Sequence, residues 1–162
     1  MVSDPSRQET DRAREAALRL LEYRVRSRRE LAERLARRGF AEPVIAAAVR
    51  ELESAGLVND VEFARAWVHA RMANNPRGSL VMRWELRRKG VEETIIQRTL
   101  EQEMGEEREL EAALKVAARY APRPGEDDSV RMKRLVGALK RRGFAFDVID
   151  AVLARARGQA AV

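Results

Sequence analysis

The 162-residue chain contains no cysteine. That excludes disulfide frameworks, thiolate nucleophiles and cysteine-built zinc sites. It has a single histidine, His69, whose neighbours one helical turn away, Arg65 and Ala73, offer neither a metal ligand nor a nucleophile. A surface or hydrogen-bonded histidine is therefore expected. Aromatic residues make up only 5% of the chain, lean for a thick globular core. No apolar run approaches the roughly 18 residues that a membrane helix needs. The polar stretch Met1 to Asp11 lacks the apolar centre of a secretion signal, so a soluble cytoplasmic protein is expected. The six serines fall in no nucleophile elbow, and Gly78, alone in Pro76-Arg77-Gly78, builds no phosphate-cradling loop. The acidic pairs Glu92-Glu93 and Asp127-Asp128 stand near expected helix starts, where the helix dipole accounts for them without a metal. No catalysis, metal or cofactor is expected.

What the chain does have is charge, 36% of its residues, with a net excess of +6. The excess is spread as +1 over residues 1–60, +2 over 61–105 and +3 over 106–162. So mild and even a bias suits contact with a polyanion or an acidic protein groove. A dedicated DNA binder would concentrate it in one stretch. The high charge content also fits helices that each bury one stripe and solvate the rest.

The chain repeats itself. Leu35-Ala36-Arg37-Arg38-Gly39-Phe40 recurs as Leu86-Arg87-Arg88-Lys89-Gly90-Val91 and as Leu139-Lys140-Arg141-Arg142-Gly143-Phe144, with the glycines 51 and 53 residues apart. Eight residues before each glycine stands Leu31, Met82 or Leu135, and four before it Leu35, Leu86 or Leu139. After it come Val44-Ile45, Ile95-Ile96 or Val148-Ile149, then Val49, Leu100 or Leu153. Apolar residues four apart share a helix face, and glycine then closes the helix in the left-handed conformation at C′. A new apolar stripe marks the next helix, opened in the first copy by Pro43. A further helix precedes each pair, at about 11–26, 60–73 and 107–120. Ser27 with Glu30, and Asn59 with Glu62, are capping candidates.

The fold expected is all-α: three tandem three-helix repeats forming an elongated, curved right-handed or irregular helical array. The units fall at 11–56, 57–105 and 106–157, with flexible ends at 1–10 and 158–162. Gly39, Gly90, Gly143, Leu35, Leu86, Leu139, Phe63 and Trp67 are expected to be structural.

Function points to binding. The basic pairs Arg37-Arg38, Arg88-Lys89 and Arg141-Arg142 close the three second helices, where cations complement the dipole. Arg77, Arg83 and Arg87 add a surplus around the middle helix that the dipole does not require. Together these residues are the candidate partner-binding set, a basic track recurring once per repeat. Trp67 shares a stripe with Phe63 and is expected in the core. Trp84, two residues from the Met82 and Leu86 stripe, is expected to pack, with an exposed interface anchor as the alternative.

The middle repeat carries Gly56-Leu57-Val58-Asn59-Asp60, Phe63-Ala64, Trp67-Val68 and Arg71, then Pro76-Arg77-Gly78, Glu85-Leu86 and Lys89-Gly90-Val91. With Arg26-Ser27, Glu30-Leu31 and Gly39-Phe40 of the first repeat, these motifs resemble the RecX family of bacterial recombination regulators over about residues 12–157. The family often has two acidic residues in place of Asn59-Asp60, and phenylalanine or tyrosine in place of Trp67; neither departure alters the capping or packing logic. The resemblance implies a monomer of tandem three-helix repeats that binds the RecA filament on single-stranded DNA in its groove. It further implies inhibition of strand exchange, ATP hydrolysis and coprotease activity, by blocked filament growth or promoted disassembly. The alternative is a three-helix module that binds DNA directly without RecA, or adds a weak single- or double-stranded DNA contact.

Overall fold

The structure is a computed structural model that describes residues 5–159. Among these residues it is wholly helical. The order is α1 (Pro5–Tyr23), α2 (Arg28–Ala36), α3 (Glu42–Ser54), α4 (Asp60–Asn74), α5 (Ser79–Arg88), α6 (Glu93–Glu103), α7 (Glu106–Ala117), α8 (Asp128–Arg141) and α9 (Phe146–Gln159). In each consecutive trio the first and third helices pack most extensively, α1 on α3, α4 on α6 and α7 on α9, and the second helix closes against them. The all-α fold of three tandem three-helix repeats agrees with the sequence expectation.

Each trio has its own core. Leu20, Leu31, Leu35, Ile45 and Leu52 form the first, Phe63, Met82, Leu86, Ile96 and Leu100 the second, and Val116, Leu135, Leu139, Phe144 and Ile149 the third. Among the described residues, only half-buried Met72, on α4, packs against both the second and the third. The total accessible surface of 10400 Å² exceeds the about 8,200 Å² of a compact monomer of this mass. Three thin modules in a row account for that excess better than one thick core.

The recurrent glycines make one turn three times. Gly39, Gly90 and Gly143 have φ of 88, 78 and 78°. Gly39 N–H donates to Ala36 O (2.9 Å) and Phe40 N–H to Leu35 O (3.4 Å). Gly90 and Val91, then Gly143 and Phe144, repeat both bonds onto Arg87 and Leu86, and onto Lys140 and Leu139. This is the Schellman closure, in which a left-handed residue lets the chain satisfy the last carbonyls and fold an apolar residue back over the helix.

Two boundaries differ from the sequence reading. The first helix begins at Pro5 rather than near Asp11, so residues 5–10 are helical. What holds them is not an apolar stripe: Thr10 is buried and bonds Ser6 O, and Arg7 pairs with Glu51 of α3 at 3.0 Å. The last helix runs to Gln159, so 158 and 159 are helical too. Residues 1–4 and 160–162, the remainder of the expected flexible ends, lie outside the described residues. Within the third repeat, α7 stops at Ala117, and the connection to α8 is laced by Arg134, which holds Glu126 (2.8 Å) and donates to Ala121 O (3.1 Å).

Candidate functional site

The three second helices are joined end to end by the turns that close them. At the first joint, Ser27 is the N-cap of α2 and accepts from Glu30 N–H at 3.1 Å. Its hydroxyl donates in turn to Lys89 O at 2.6 Å, the carbonyl just before Gly90. Arg28 N–H donates to Asp60 at 2.9 Å, and Arg29 lies against Gly90. At the second joint, Gly78 is the N-cap of α5. Its N–H donates to Arg142 O at 2.8 Å, and Leu80 N–H to Gly143 O at 3.2 Å. Ser79 N–H is taken by the buried Glu109 carboxylate at 2.8 Å. The N-terminus of one second helix thus docks on the Schellman turn of the next. At the second joint backbone N–H groups of one helix meet C-terminal carbonyls of the other, at the first the Ser27 hydroxyl does so, and at both opposite dipole ends face each other.

Gly78 builds no phosphate-cradling loop. Its role is close approach: a methyl there would run into the backbone of Gly143 and Phe144. The available signal was its offset, 12 residues before Gly90, the offset of Ser27 from Gly39.

The joints divide the candidate cations. The residue before each glycine is Arg38, Lys89 or Arg142. Lys89 binds Glu30 across the first joint, and its Nζ lies 5.0 Å from the Trp67 ring centroid. Arg142 and Arg77 flank the second joint with their Nε atoms withdrawn from solvent. Arg38 is exposed, with one long bond to Ala16 O (3.5 Å). Arg83 and Arg87 both bind Glu93 at the start of α6. The residue two before each glycine behaves alike in all three units. Arg37, Arg88 and Arg141 are all exposed, and among the described residues none has a carboxylate within ion-pairing distance. The carboxylates that neutralise Lys89, Arg83 and Arg87 are Glu30 and Glu93, and neither is marked as such a partner in the sequence. Glu93 follows Arg87 by only six residues, but Glu30 reaches Lys89 across 59.

The titrating groups at the first joint follow from these contacts. Burial pushes the Glu30 carboxyl up, but hydrogen bonds from Arg24 and Lys89 outweigh it and hold it below the ordinary carboxylate range. Burial raises Asp60, and the Arg28 backbone bond only partly opposes this. Ser27 and Glu30 make half a capping box: the hydroxyl caps the helix, while the carboxylate turns outward to Arg24 and Lys89.

The tryptophans separate. Phe63 is buried, and Trp67 is half-buried beside it, ring centroids 5.8 Å apart. The Trp67 indole N–H donates to Glu85, which also holds Arg71 (both 2.8 Å). Trp84 does not pack as expected. It is 54% exposed, with the Arg88 guanidinium 4.7 Å from its ring centroid. Position decides this: Met82 and Leu86 fill the core, and two residues from that stripe is the opposite face of α5. His69 is exposed and bonded to Glu103 at 2.7 Å. Among the described residues no group of three or more metal-ligating side chains gathers, and no helix is long and apolar enough to cross a membrane.

Known proteins share both the pattern and the fold. The family models described as RecX, first, second and third three-helix domain match residues 13–52, 59–100 and 106–153. The chain is 39% identical over 164 residues to the regulatory protein RecX of Mycobacterium sp. (strain KMS), covering 96% of this chain and 88% of that one. It is 37% identical over 161 residues to the regulatory protein RecX of Mycobacterium avium (strain 104), covering 96% and 92%. The crystal structure of RecX from Lactobacillus salivarius superposes with a TM-score of 0.84 over 91% of this chain and 96% of that one; at 23% identity it shows the shared fold. Three consecutive domain matches and near full-length relatives assign the protein: this chain belongs to the RecX family of regulatory proteins, which are not enzymes.

Proposed function

We propose that the chain binds the filament that the RecA recombinase forms on single-stranded DNA and inhibits its recombinase, ATPase and coprotease activities. It does so as a cytoplasmic monomer lying along the filament, blocking growth or promoting disassembly, and so restrains homologous recombination, DNA repair and the SOS response. The observation that carries this reading is the recurrence of Arg37, Arg88 and Arg141. One exposed cation without a carboxylate partner stands at the same register of each unit. A partner built of identical subunits offers identical acceptors at intervals, and several weak contacts on one body add to a strong one. Family membership supports the same partner.

The test is a titration into the DNA-dependent ATPase of RecA. Inhibition at substoichiometric amounts is expected; an unchanged rate at equimolar protein sinks the proposal. The competing reading, a DNA-binding module independent of RecA, predicts tight binding to DNA alone that weakens steeply with salt. A salt titration without RecA separates the two.

A further inference from the structure

The repeat contains its own control for which residues packing demands. Whatever the three-helix fold needs at a given register recurs, as the leucines and glycines do. The outer face of α5 breaks this rule. Leu80 and Trp84 lie one turn apart there, 59% and 54% exposed. Arg88 follows after one more turn, over the indole. At the same registers α2 has Arg29 and Glu33, and α8 has Lys133 and Gly137. Both helices close the same turn without an apolar side chain at either register. Leu80 and Trp84 are therefore not required by the fold, and they hold a large apolar surface in water at the middle of the array.

From this we infer that Leu80 and Trp84 form the central anchor of the partner interface, entering an apolar pocket on the partner's protein surface whose rim supplies a carboxylate to Arg88. The inference rests on the filament-binding reading and assigns its contact point. Three features select a protein pocket over nucleic acid. Arg83 and Arg87, adjacent to the patch along α5, are already held by Glu93 and are not free for phosphates. Leu80 is aliphatic and offers no stacking face. Of the three arginines beside the patch only Arg88 has no carboxylate partner among the described residues, and it sits over the ring, so a carboxylate that meets it lies at the edge of the indole's pocket. Buried tryptophan and arginine are the residue types that dominate interface energetics, each surrounded by weaker contacts. The unpartnered Arg37 and Arg141, one unit to either side, are those weaker contacts.

The experiment measures binding of the labelled full chain to RecA filaments assembled on single-stranded DNA, for wild type, Trp84→Ala, Trp84→Phe and Leu80→Ala. Each variant's thermal midpoint is read in parallel. Trp84→Ala is expected to weaken binding at least tenfold with an unchanged midpoint, Leu80→Ala severalfold, and Trp84→Phe least. Trp84→Ala binding within twofold of wild type overturns the anchor while leaving the filament reading intact. Wild type failing to bind at all overturns both. Should an oligothymidylate without RecA quench the wild-type emission, with the quenching lost in Trp84→Phe, the indole meets bases and the protein pocket is wrong. A fall in midpoint for both Trp84→Ala and Leu80→Ala also overturns the proposal, because the patch then serves the fold.

Discussion

Gly39, Gly90 and Gly143 share one backbone conformation but not one environment. An added methyl meets open space at Gly39, the Arg29 side chain at Gly90 and the Val81 backbone and side chain at Gly143. Gly39→Ala therefore carries only the cost of a left-handed alanine, about 1–2 kcal/mol. Gly143→Ala carries the same cost plus a clash, typically a further 1–3 kcal/mol, because backbone cannot yield as a flexible side chain does. Urea unfolding of the two variants reads the difference directly; equal losses would mean that the second joint contributes nothing. Gly143 and Gly39 look identical in the sequence, since the left-handed turn follows from local spacing alone. Their difference does not, since Val81 approaches from another unit. The same boundary separates the cations. Their clustering at helix ends was legible, but which of them would be neutralised depended on where Glu93 and Glu30 come to lie.

At the scale of the helices, period and capping residues located nearly everything, because stripe, cap and glycine all act within a few residues. The start of α1 escaped, because residues 5–10 carry no apolar stripe and the pairing of Arg7 with Glu51 of α3 is not local. Ser27 does two things that Asn59, the other side-chain cap compared, does not combine. Asn59 accepts from Val61 and Glu62 within its own helix. Ser27 caps α2 and also bonds Lys89 O in the next unit. Losing a cap costs typically about 1 kcal/mol, and the inter-unit bond adds about 0.5–1.5 kcal/mol. Ser27→Ala is thus expected to lower stability by roughly twice as much as Asn59→Ala in matched chemical denaturation. Glu30 makes the same joint sensitive to acid. Its folded carboxyl titrates below the unfolded one, so its contribution is complete above the ordinary carboxylate range and disappears as pH falls through the depressed value. The thermal midpoint of Glu30→Gln should lie below wild type at pH 7 and converge with it in strong acid. Asp60, raised by burial, acts with the opposite sign in both proteins and leaves that comparison undisturbed.

The molecule as a whole is three cores coupled by two narrow polar joints, and its cooperativity resides in those joints. Gly78→Ala tests this most cleanly. Gly78 has an ordinary φ of −79°, so alanine is not strained there, and no side-chain cap bond is lost. Its methyl can only be accommodated by moving α5 away from the Gly143 turn. Both tryptophans lie in the middle unit, while circular dichroism samples all nine described helices. In Gly78→Ala the fluorescence and dichroism midpoints in urea are expected to draw apart relative to wild type, as the third unit unfolds on its own. A parallel shift of both probes would mean that the joint does not couple the units. The variant also keeps Arg37, Trp84, Arg88 and Arg141 unchanged. If filament binding depends on holding these groups at fixed spacing, Gly78→Ala loses inhibition of the RecA ATPase under conditions where every unit remains folded. Contacts whose spacing is no longer fixed lose the advantage of acting as one ligand. Undiminished inhibition by a demonstrably uncoupled variant would show that a single unit, most plainly the one carrying Trp84, suffices.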